Sequence, residues 1–170
     1  VEYTVEEVEV DGLEAEYEGE SGTISEEAAT ATVTNTRETG DLEVSKTVVS
    51  DLAADASKEF EFTVTLSDKT ISGTYGDMTF TAGVATFTLK GGESKTAEGL
   101  PTTVTYTVEE KADDDFETEK TGDEGTITAE EAGSAAFTNT RETGDLTVTK
   151  TLISDMEADK ALDFEFTVTL

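Results

Sequence analysis

Apolar and polar residues alternate along much of the chain, and this alternation predicts β-strands. In EFEFTVTL (59–66) every second residue is apolar, and VATFTLK (84–90) and TVTYTVEE (103–110) follow the same pattern. Successive side chains of a strand point to opposite faces of a sheet, so each apolar set would lie on one buried face. The chain is therefore expected to be all-β.

Turn signals such as SGTYGD and KTGDEG separate these short strands, which are rich in Thr and Val. This spacing is typical of an antiparallel β-sandwich of about 100 residues. The segment SDLAADASK (50–58) fits either a helical turn or a loop, and we interpret it as a loop.

Two stretches of the chain nearly coincide. NTRETGDLEVSKTVVS from Asn35 recurs as NTRETGDLTVTKTLIS from Asn139, identical at 12 of 16 positions and offset by 104 residues, and YTVEE occurs twice. Self-similarity at a fixed period indicates tandem domains. The chain would then contain the C-terminal part of a preceding repeat (1–39), a complete repeat (40–143) and the N-terminal part of a following repeat (144–170).

The two partial repeats raise the question of whether they could form a domain together, as in a head-to-tail polymer. They contain 66 residues, and nothing in them corresponds to residues 67–105 of the complete repeat. Such a domain is expected to lack its middle strands. We therefore interpret the chain as an excerpt of a longer array.

Three strands of the complete repeat place a polar residue on their otherwise apolar face: Lys46 in the first, Glu110 in a late one and Asn139 in the last. An unpaired buried charge is costly. The ordinary explanation is a buried Lys–Glu ion pair beside the Asn, or a lysine that reaches solvent at an edge. The alternation favours Glu110 over Glu109, although one β-bulge would reverse that assignment.

A chemical explanation fits the same three residues. Burial lowers the pKa of a lysine and raises that of a glutamate. A neutral Lys46 amine would then be a nucleophile, while Glu110 would polarise the Asn139 amide and shuttle protons. Attack with loss of ammonia would leave a Lys–Asn isopeptide bond, and the fold would supply the proximity.

The order of an opening-strand Lys, TFTLKGGES, GLP, YTVEE and FTNT resembles the collagen-adhesin B-type (CnaB-like) repeat domains of Gram-positive surface adhesins and pilins. The resemblance covers residues 40–143 and both partial repeats, although EEKADDDFETEK lacks the usual Pro-Gly-Tyr. It implies an Ig-like sandwich whose first-strand Lys and last-strand Asn are joined with the help of an acidic residue. The matching positions are Lys46, Asn139 and Glu110.

The same match assigns roles in the partial repeats. Glu7 would be the acidic catalyst and Asn35 the cross-linked residue of a repeat whose lysine precedes residue 1. Lys150 would belong to a repeat whose asparagine follows residue 170.

The composition is strongly acidic, with 11 Lys+Arg against 40 Asp+Glu and a net charge of −29. This charge argues against nucleic acid and anionic membranes as partners, and no apolar run approaches the roughly 18 residues that span a bilayer. The absence of His and Cys argues against an enzyme and against thiolate metal sites. ADDDFETE (112–119) lacks the spacing of an EF-hand, so we expect no metal and no cofactor.

These features predict a structural function. The chain is expected to be a stalk or spacer of a cell-wall-anchored, extracellular adhesin or pilus-like fibre, with adjacent repeats of the same chain as its partners. The short spacer TRETGD between Asn139 and Leu146 favours a semi-rigid rod. The alternative is an adhesive module whose loops bind a host matrix protein or glycan at the tip of the array.

Overall fold

The structure, a computed structural model, describes residues 1–169. An N-terminal segment (residues 1–37) contains four short strands: β1 (Glu2–Thr4), β2 (Leu13–Glu18), β3 (Ser21–Thr23) and β4 (Thr32–Arg37). A central unit (residues 39–141) contains ten: β5 (Thr39–Val49), β6 (Phe60–Leu66), β7 (Gly73–Tyr75), β8 (Met78–Phe80), β9 (Val84–Leu89), β10 (Ser94–Pro101), β11 (Thr105–Glu110), β12 (Phe116–Thr121), β13 (Glu124–Thr126) and β14 (Gly133–Arg141).

The central unit is an Ig-like sandwich of two four-stranded sheets, which confirms the predicted all-β fold. One sheet has the order β10–β5–β14–β12 and the other β13–β11–β6–β9, while β7 and β8 form a separate hairpin. All pairs are antiparallel except β5 and β14, which are parallel neighbours. The first and last strands of the unit are therefore adjacent, and the chain enters and leaves the sandwich at opposite ends.

The core lies between the two sheets and contains the residues that the alternation placed inside. Phe62, Val64 and Leu66 of β6 are fully buried, and they face Leu42 and Val44 of β5 across the sandwich. Aromatic rings meet edge to face, with the centroids of Phe62 and Phe137 5.2 Å apart. Lys46 is among the largest fully buried side chains, so the core accommodates one amine within an apolar layer.

The segment interpreted from sequence as a loop (50–58) contains a short 3₁₀ helix at Ala53–Ser57, and this corrects that interpretation. The Ser50 hydroxyl closes the turn, because it donates to the Asp55 carboxylate at 2.5 Å and accepts the Leu52 N–H at 3.1 Å. Such local hydrogen bonds from serine favour tight turns over continued strand. A second 3₁₀ helix, Glu157–Ala161, occupies the corresponding place in the C-terminal segment (residues 142–169).

The N-terminal segment repeats part of the sandwich in the same register. β1 pairs with β3 as β11 pairs with β13, and β2 pairs with β4 as β12 pairs with β14. The C-terminal segment, by contrast, contains no strand within the described residues. Across residues 1–169, no helix has the length and apolar character that crossing a bilayer requires.

Candidate cross-linking site

Lys46, Glu110 and Asn139 meet inside the sandwich, although they come from three strands and two sheets. Lys46 lies on β5 opposite Phe137 of β14, so Asn139, two residues further on, has its side chain on the same face. Glu110 ends β11 in the facing sheet, where it pairs with Phe62 of β6. Each of the three residues occupies an inward-facing position of a strand whose other inward-facing residues are apolar and form the core. Its side chain is therefore directed inward as well.

Glu110 bridges the other two side chains with one oxygen each. Lys46 Nζ lies 2.8 Å from Oε2, and Asn139 Nδ2 donates to Oε1 at 2.5 Å. Solvent is nearly excluded, since the side chains of Lys46 and Glu110 are 0% and 3% exposed and Asn139 is 0% exposed. A carboxylate in this position can take a proton from the amine and deliver one to the amide nitrogen.

Burial lowers the pKa of Lys46 from its ordinary value, although the hydrogen bond and charge of Glu110 act in the opposite direction. The ammonium also lies over the Phe60 ring, 4.4 Å from its centroid. A lysine with a lowered pKa has a larger neutral fraction, and the neutral amine is the form that attacks a carbonyl carbon.

Asn139 distinguishes this cluster from an ordinary buried ion pair. Its Oδ1 is buried and has no hydrogen-bond partner within the described residues. A buried polar atom without a partner costs roughly 1–3 kcal/mol, so such atoms are rare in stable cores. The ion pair accounts for Lys46 and Glu110, but it does not account for an asparagine that leaves its carbonyl unsatisfied beside an amine.

The structure places Glu110, and not Glu109, at this cluster. The β11–β6 register is continuous from Tyr106 to Glu110, so no bulge reverses the alternation. Glu109 is exposed on the outer face of the same strand.

Comparison with known proteins gives a family for the central unit. The model of the family described as "Domain of unknown function (DUF7601)" matches residues 40–141, which is more than half of the chain. The chain belongs to this family. The match ends just beyond Asn139 and includes Lys46 and Glu110, so the whole cluster lies within the DUF7601 unit.

Several curated and solved relatives are pilus proteins of Streptococcus pyogenes. The pilus tip adhesin Cpa is 44% identical over 88 residues, covering 48% of this chain and 13% of that protein. A structure of the pilus-presented adhesin Spy0125 (Cpa) superposes with a TM-score of 0.51 at 26% identity, covering 65% of this chain and 30% of that one. This chain thus spans a minor part of the adhesin it matches.

A major pilin, T3.2 of the same species, shares the fold with a TM-score of 0.58 at 22% identity, covering 82% of this chain and 65% of that one. These relatives support a Gram-positive pilin or adhesin domain. They are structural and adhesive proteins, which confirms the prediction that the chain is not an enzyme.

The remaining predicted residues lie outside the DUF7601 unit. Asn35 Nδ2 donates to Glu7 at 2.9 and 3.1 Å, which reproduces the Asn139–Glu110 contact on an exposed surface. Lys150 is distant from both in sequence; its Nζ donates to the Thr151 carbonyl at 3.1 Å and lies 4.0 Å from the centroid of the Phe164 ring. Within residues 1–169, the structure therefore assembles the pair Glu7–Asn35 without a lysine, and Lys150 without a carboxylate.

Sequence reasoning missed a second ion pair, which joins the buried Asp55 to the half-buried Arg141. Asp55 is 4% exposed, and both of its oxygens accept hydrogen bonds from the Arg141 guanidinium, one of them at 2.7 Å from Nη2. The pair links the 3₁₀ helix after β5 to the end of β14. A signal was available, because Ser50, Asp55 and Arg141 all recur at equivalent positions, as Ser154, Asp159 and Arg37.

This pair predicts an acid transition of the DUF7601 unit. The Arg141 hydrogen bonds, then the one from Ser50, lower the pKa of Asp55 to about 2. Because the folded pKa lies below the unfolded value of about 3.9, the stabilisation is present above pH 4 and is lost as the pH falls toward 2. An Arg141→Gln chain should be less stable than the parent at pH 7. It should also lose less stability than the parent between pH 4 and 2, as measured by thermal unfolding.

Arg37→Gln is the matched control for that comparison. Arg37 occupies the equivalent position in the N-terminal segment but donates to the backbone carbonyls of Asp11 and Gly12 instead of to a carboxylate. It should leave the acid profile of the DUF7601 unit unchanged. If the Arg141→Gln chain and the parent lost the same stability between pH 4 and 2, the assignment of the acid transition to the Asp55–Arg141 pair would be contradicted.

Carboxylates of the acidic loop at 112–119 form ion pairs with basic residues of the same unit. Asp113 binds Lys58 at 2.6 Å, and Asp115 lies 3.6 Å from Arg141. The Lys58 hydrogen bond lowers the pKa of Asp113, so this aspartate is held ionised by a lysine of its own chain.

Proposed function

We propose that the chain is a structural stalk segment of an extracellular, cell-wall-anchored adhesin or pilus-like fibre of a Gram-positive bacterium, built from tandem repeats. Each repeat is closed by an isopeptide bond that it forms itself. In the DUF7601 unit the bond joins Lys46 to Asn139, with Glu110 as the proton carrier. The observation that carries the proposal is the buried Glu110 carboxylate, which contacts the amine through one oxygen and the amide nitrogen through the other.

The reaction balances within the three side chains. Lys46 transfers a proton to Glu110, and the neutral Nζ attacks Cγ of Asn139, forming the C–N bond. Glu110 returns a proton to the departing Nδ2 and accepts one from Nζ as the C–Nδ2 bond breaks, so that ammonia leaves. The fold holds the groups together before reaction, and that proximity supplies much of the acceleration.

The position of the bond suits a load-bearing role. β5 and β14 are parallel neighbours, so tension applied at the two ends of the unit pulls them in opposite directions along their shared ladder. Without a covalent bond, only the hydrogen bonds between the two strands would resist this shear. A Lys46–Asn139 bond would carry the load covalently and protect the residues between these positions from extension. It would also resist reducing agents, unlike a disulfide.

The junction before the DUF7601 unit supports a stiff stalk. Glu38 is the single residue between β4 and β5; its N–H donates to the Gly12 carbonyl at 3.0 Å, and its carbonyl accepts the Thr102 N–H at 3.0 Å. Gly12 has φ +72°, and a Cβ there would lie 2.6 Å from the Arg37 guanidinium and 2.9 Å from the Thr102 hydroxyl. The junction is thus fixed by backbone hydrogen bonds and by a close approach that glycine permits.

Single-molecule stretching tests the mechanical function. In the parent, the segment between Lys46 and Asn139 should not extend, because the cross-link bypasses it. In an Asn139→Ala chain the same segment should add on the order of 300 Å of contour length, given about 3.3 Å per extended residue. Thr140→Ala, an exposed neighbour on β14, is the control and should behave as the parent. Full extension of the parent unit would contradict the proposal.

The partners in this proposal are the adjacent repeats of the same chain. One relative is named a pilus tip adhesin, and the alternative of host matrix or glycan binding through the sandwich loops stays a prediction.

A further inference from the structure

Arg141 lies just beyond the cross-linking site, on the strand that carries Asn139. The two residues are separated by Thr140 on β14, so both side chains face the interior. The parallel ladder between β5 and β14 ends at Thr140. Directly after it, the Arg141 guanidinium binds the carboxylate of Asp55, in the 3₁₀ helix that follows β5. One ion pair therefore ties the end of the strand that carries the amide to the chain that follows the strand of the amine.

A continuous row of side chains leads from this ion pair to Lys46. The Arg141 guanidinium lies over the Phe116 ring, with Cζ 4.6 Å from the ring centroid. Phe116 meets Phe60 edge to face, with the two centroids 5.4 Å apart. The Phe60 ring in turn lies 4.4 Å from Lys46 Nζ. Arg141 thus reaches the amine through two rings, and both rings are buried.

Lys58 and the acidic loop at 112–119 hold the outer side of this row. Lys58 Nζ lies 5.0 Å from the centroid of the Phe116 ring and binds Asp113 at 2.6 Å. Asp115 lies 3.6 Å from Arg141 Nη1. The Phe116 ring is therefore contacted by two cations, and each cation is held by a carboxylate of the same loop.

The ion pair is not required for the turn that follows the first strand. In the C-terminal segment the same turn forms around Ser154, which donates to Asp159 at 2.6 Å and accepts the Met156 N–H at 3.0 Å. Within residues 1–169, no arginine forms an ion pair with Asp159. Arg141 therefore supplies a contact that the local fold does not need, between the two ends of the DUF7601 unit.

We propose that the Asp55–Arg141 pair and Phe116 position the amine and the amide of the cross-linking reaction. The inference rests on the proposed function. The ion pair fixes the end of β14 beside β5, and the Phe116 ring supports the Phe60 ring against the amine. Misplacement of reacting groups by 1 Å can cost about 10²-fold in rate, so contacts one layer away are sufficient to control it. These residues touch neither reacting atom, and they are positioning residues.

The products of the reaction report on positioning separately from stability. If the amine is no longer held against Asn139, water can take its place and attack Cγ. The C–Nδ2 bond then breaks, ammonia leaves and an aspartate remains. The hydrolysed chain is about 1 Da heavier than the unreacted chain, whereas the cross-linked chain is about 17 Da lighter. A residue that only stabilised the fold would change the melting temperature and leave this partition unchanged.

The test follows the intact mass of the full chain during cell-free synthesis, with samples quenched in acid at intervals. Every variant is studied below its own melting temperature, where circular dichroism shows it to be folded. Arg141→Gln should slow the loss of ammonia by about 10- to 100-fold and should accumulate the hydrolysed product. Arg141→Lys keeps the charge but not the two-point contact with Asp55, so it should recover part of the rate.

Phe116→Leu is the second variant, because it removes the ring and leaves the ion pair in place. Leucine occurs at the equivalent position of the N-terminal segment, where Leu13 pairs with Arg37 as Phe116 pairs with Arg141. The variant is therefore expected to fold, to react more slowly than the parent and to show the same hydrolysed product. Glu142→Gln is the control: Glu142 adjoins Arg141 but is exposed, and its substitution should leave rate and products unchanged.

The other outcomes separate this inference from the proposed function. A parent that loses ammonia, with Arg141→Gln and Phe116→Leu chains that lose it equally fast and without hydrolysis, overturns the positioning role alone. An equal loss of rate in Glu142→Gln also overturns it, because the effect would then come from any change of charge at this end of the unit. A parent that keeps its full calculated mass overturns the proposed function and this inference together.

Discussion

An Asn139→Ala chain is expected to unfold at a much lower temperature than the parent. The substitution removes the acceptor of the isopeptide bond but leaves the Lys46–Glu110 ion pair in place, so the loss reports mainly the cross-link. A bond that closes a loop of nearly 100 residues stabilises by about 4–5 kcal/mol in the chain-entropy model. For a unit of this size, that corresponds to a shift of the melting temperature on the order of 20–30 °C. Differential scanning calorimetry at pH 7 measures it.

Thr140→Ala is the matched control for this loss, because Thr140 adjoins Asn139 on β14 but is exposed. It should shift the melting temperature by a few degrees at most. A parent and an Asn139→Ala chain that melt within about 5 °C of each other would show that no covalent bond stabilises the unit.

The second large effect concerns the rate of bond formation. Glu110→Gln keeps the size of the side chain but replaces one of its two acceptor oxygens with an amide donor and removes its ability to take up and return a proton. Loss of a positioned proton carrier costs about 10²–10⁴-fold in rate. Freshly purified Glu110→Gln protein should therefore be largely unreacted, and its mass should change slowly, if at all, over days at 37 °C.

Glu109→Gln distinguishes the chemistry from a general effect of lost charge. Glu109 is the adjacent residue of β11 and faces outward, so its substitution should leave the reaction as fast as in the parent. If Glu109→Gln stopped the reaction and Glu110→Gln did not, the proton carrier would have been assigned to the wrong residue.

The sequence was sufficient to predict the faces of the strands. A period of two in EFEFTVTL requires Phe62 and Val64 to share a buried face, and the same rule placed Lys46, Glu110 and Asn139 inside. The period of two along a strand determines which face of the sheet each residue occupies. A residue on a mostly apolar face is expected to be buried, even when it is polar. This is why three residues that are far apart in sequence could be identified before the fold was known.

The sequence was not sufficient to predict which strands are neighbours. The parallel pairing of β5 with β14, and the edge positions of β9 and β10, depend on how the two sheets close around the core, and alternation carries no information on this. For the same reason, the alternation could not predict that the Phe60 ring lies beneath the Lys46 ammonium or that Asp55 pairs with Arg141. Both are contacts between separate elements. The repeated Ser, Asp and Arg positions were a usable signal for the second contact.

The intact mass of the chain under denaturing conditions tests the central claim most directly. Loss of one ammonia predicts a mass about 17 Da below the value calculated from the sequence, and an Asn139→Ala chain should have its full calculated mass. A full calculated mass for the parent chain would contradict the claim and would reduce the cluster to a buried ion pair beside an asparagine.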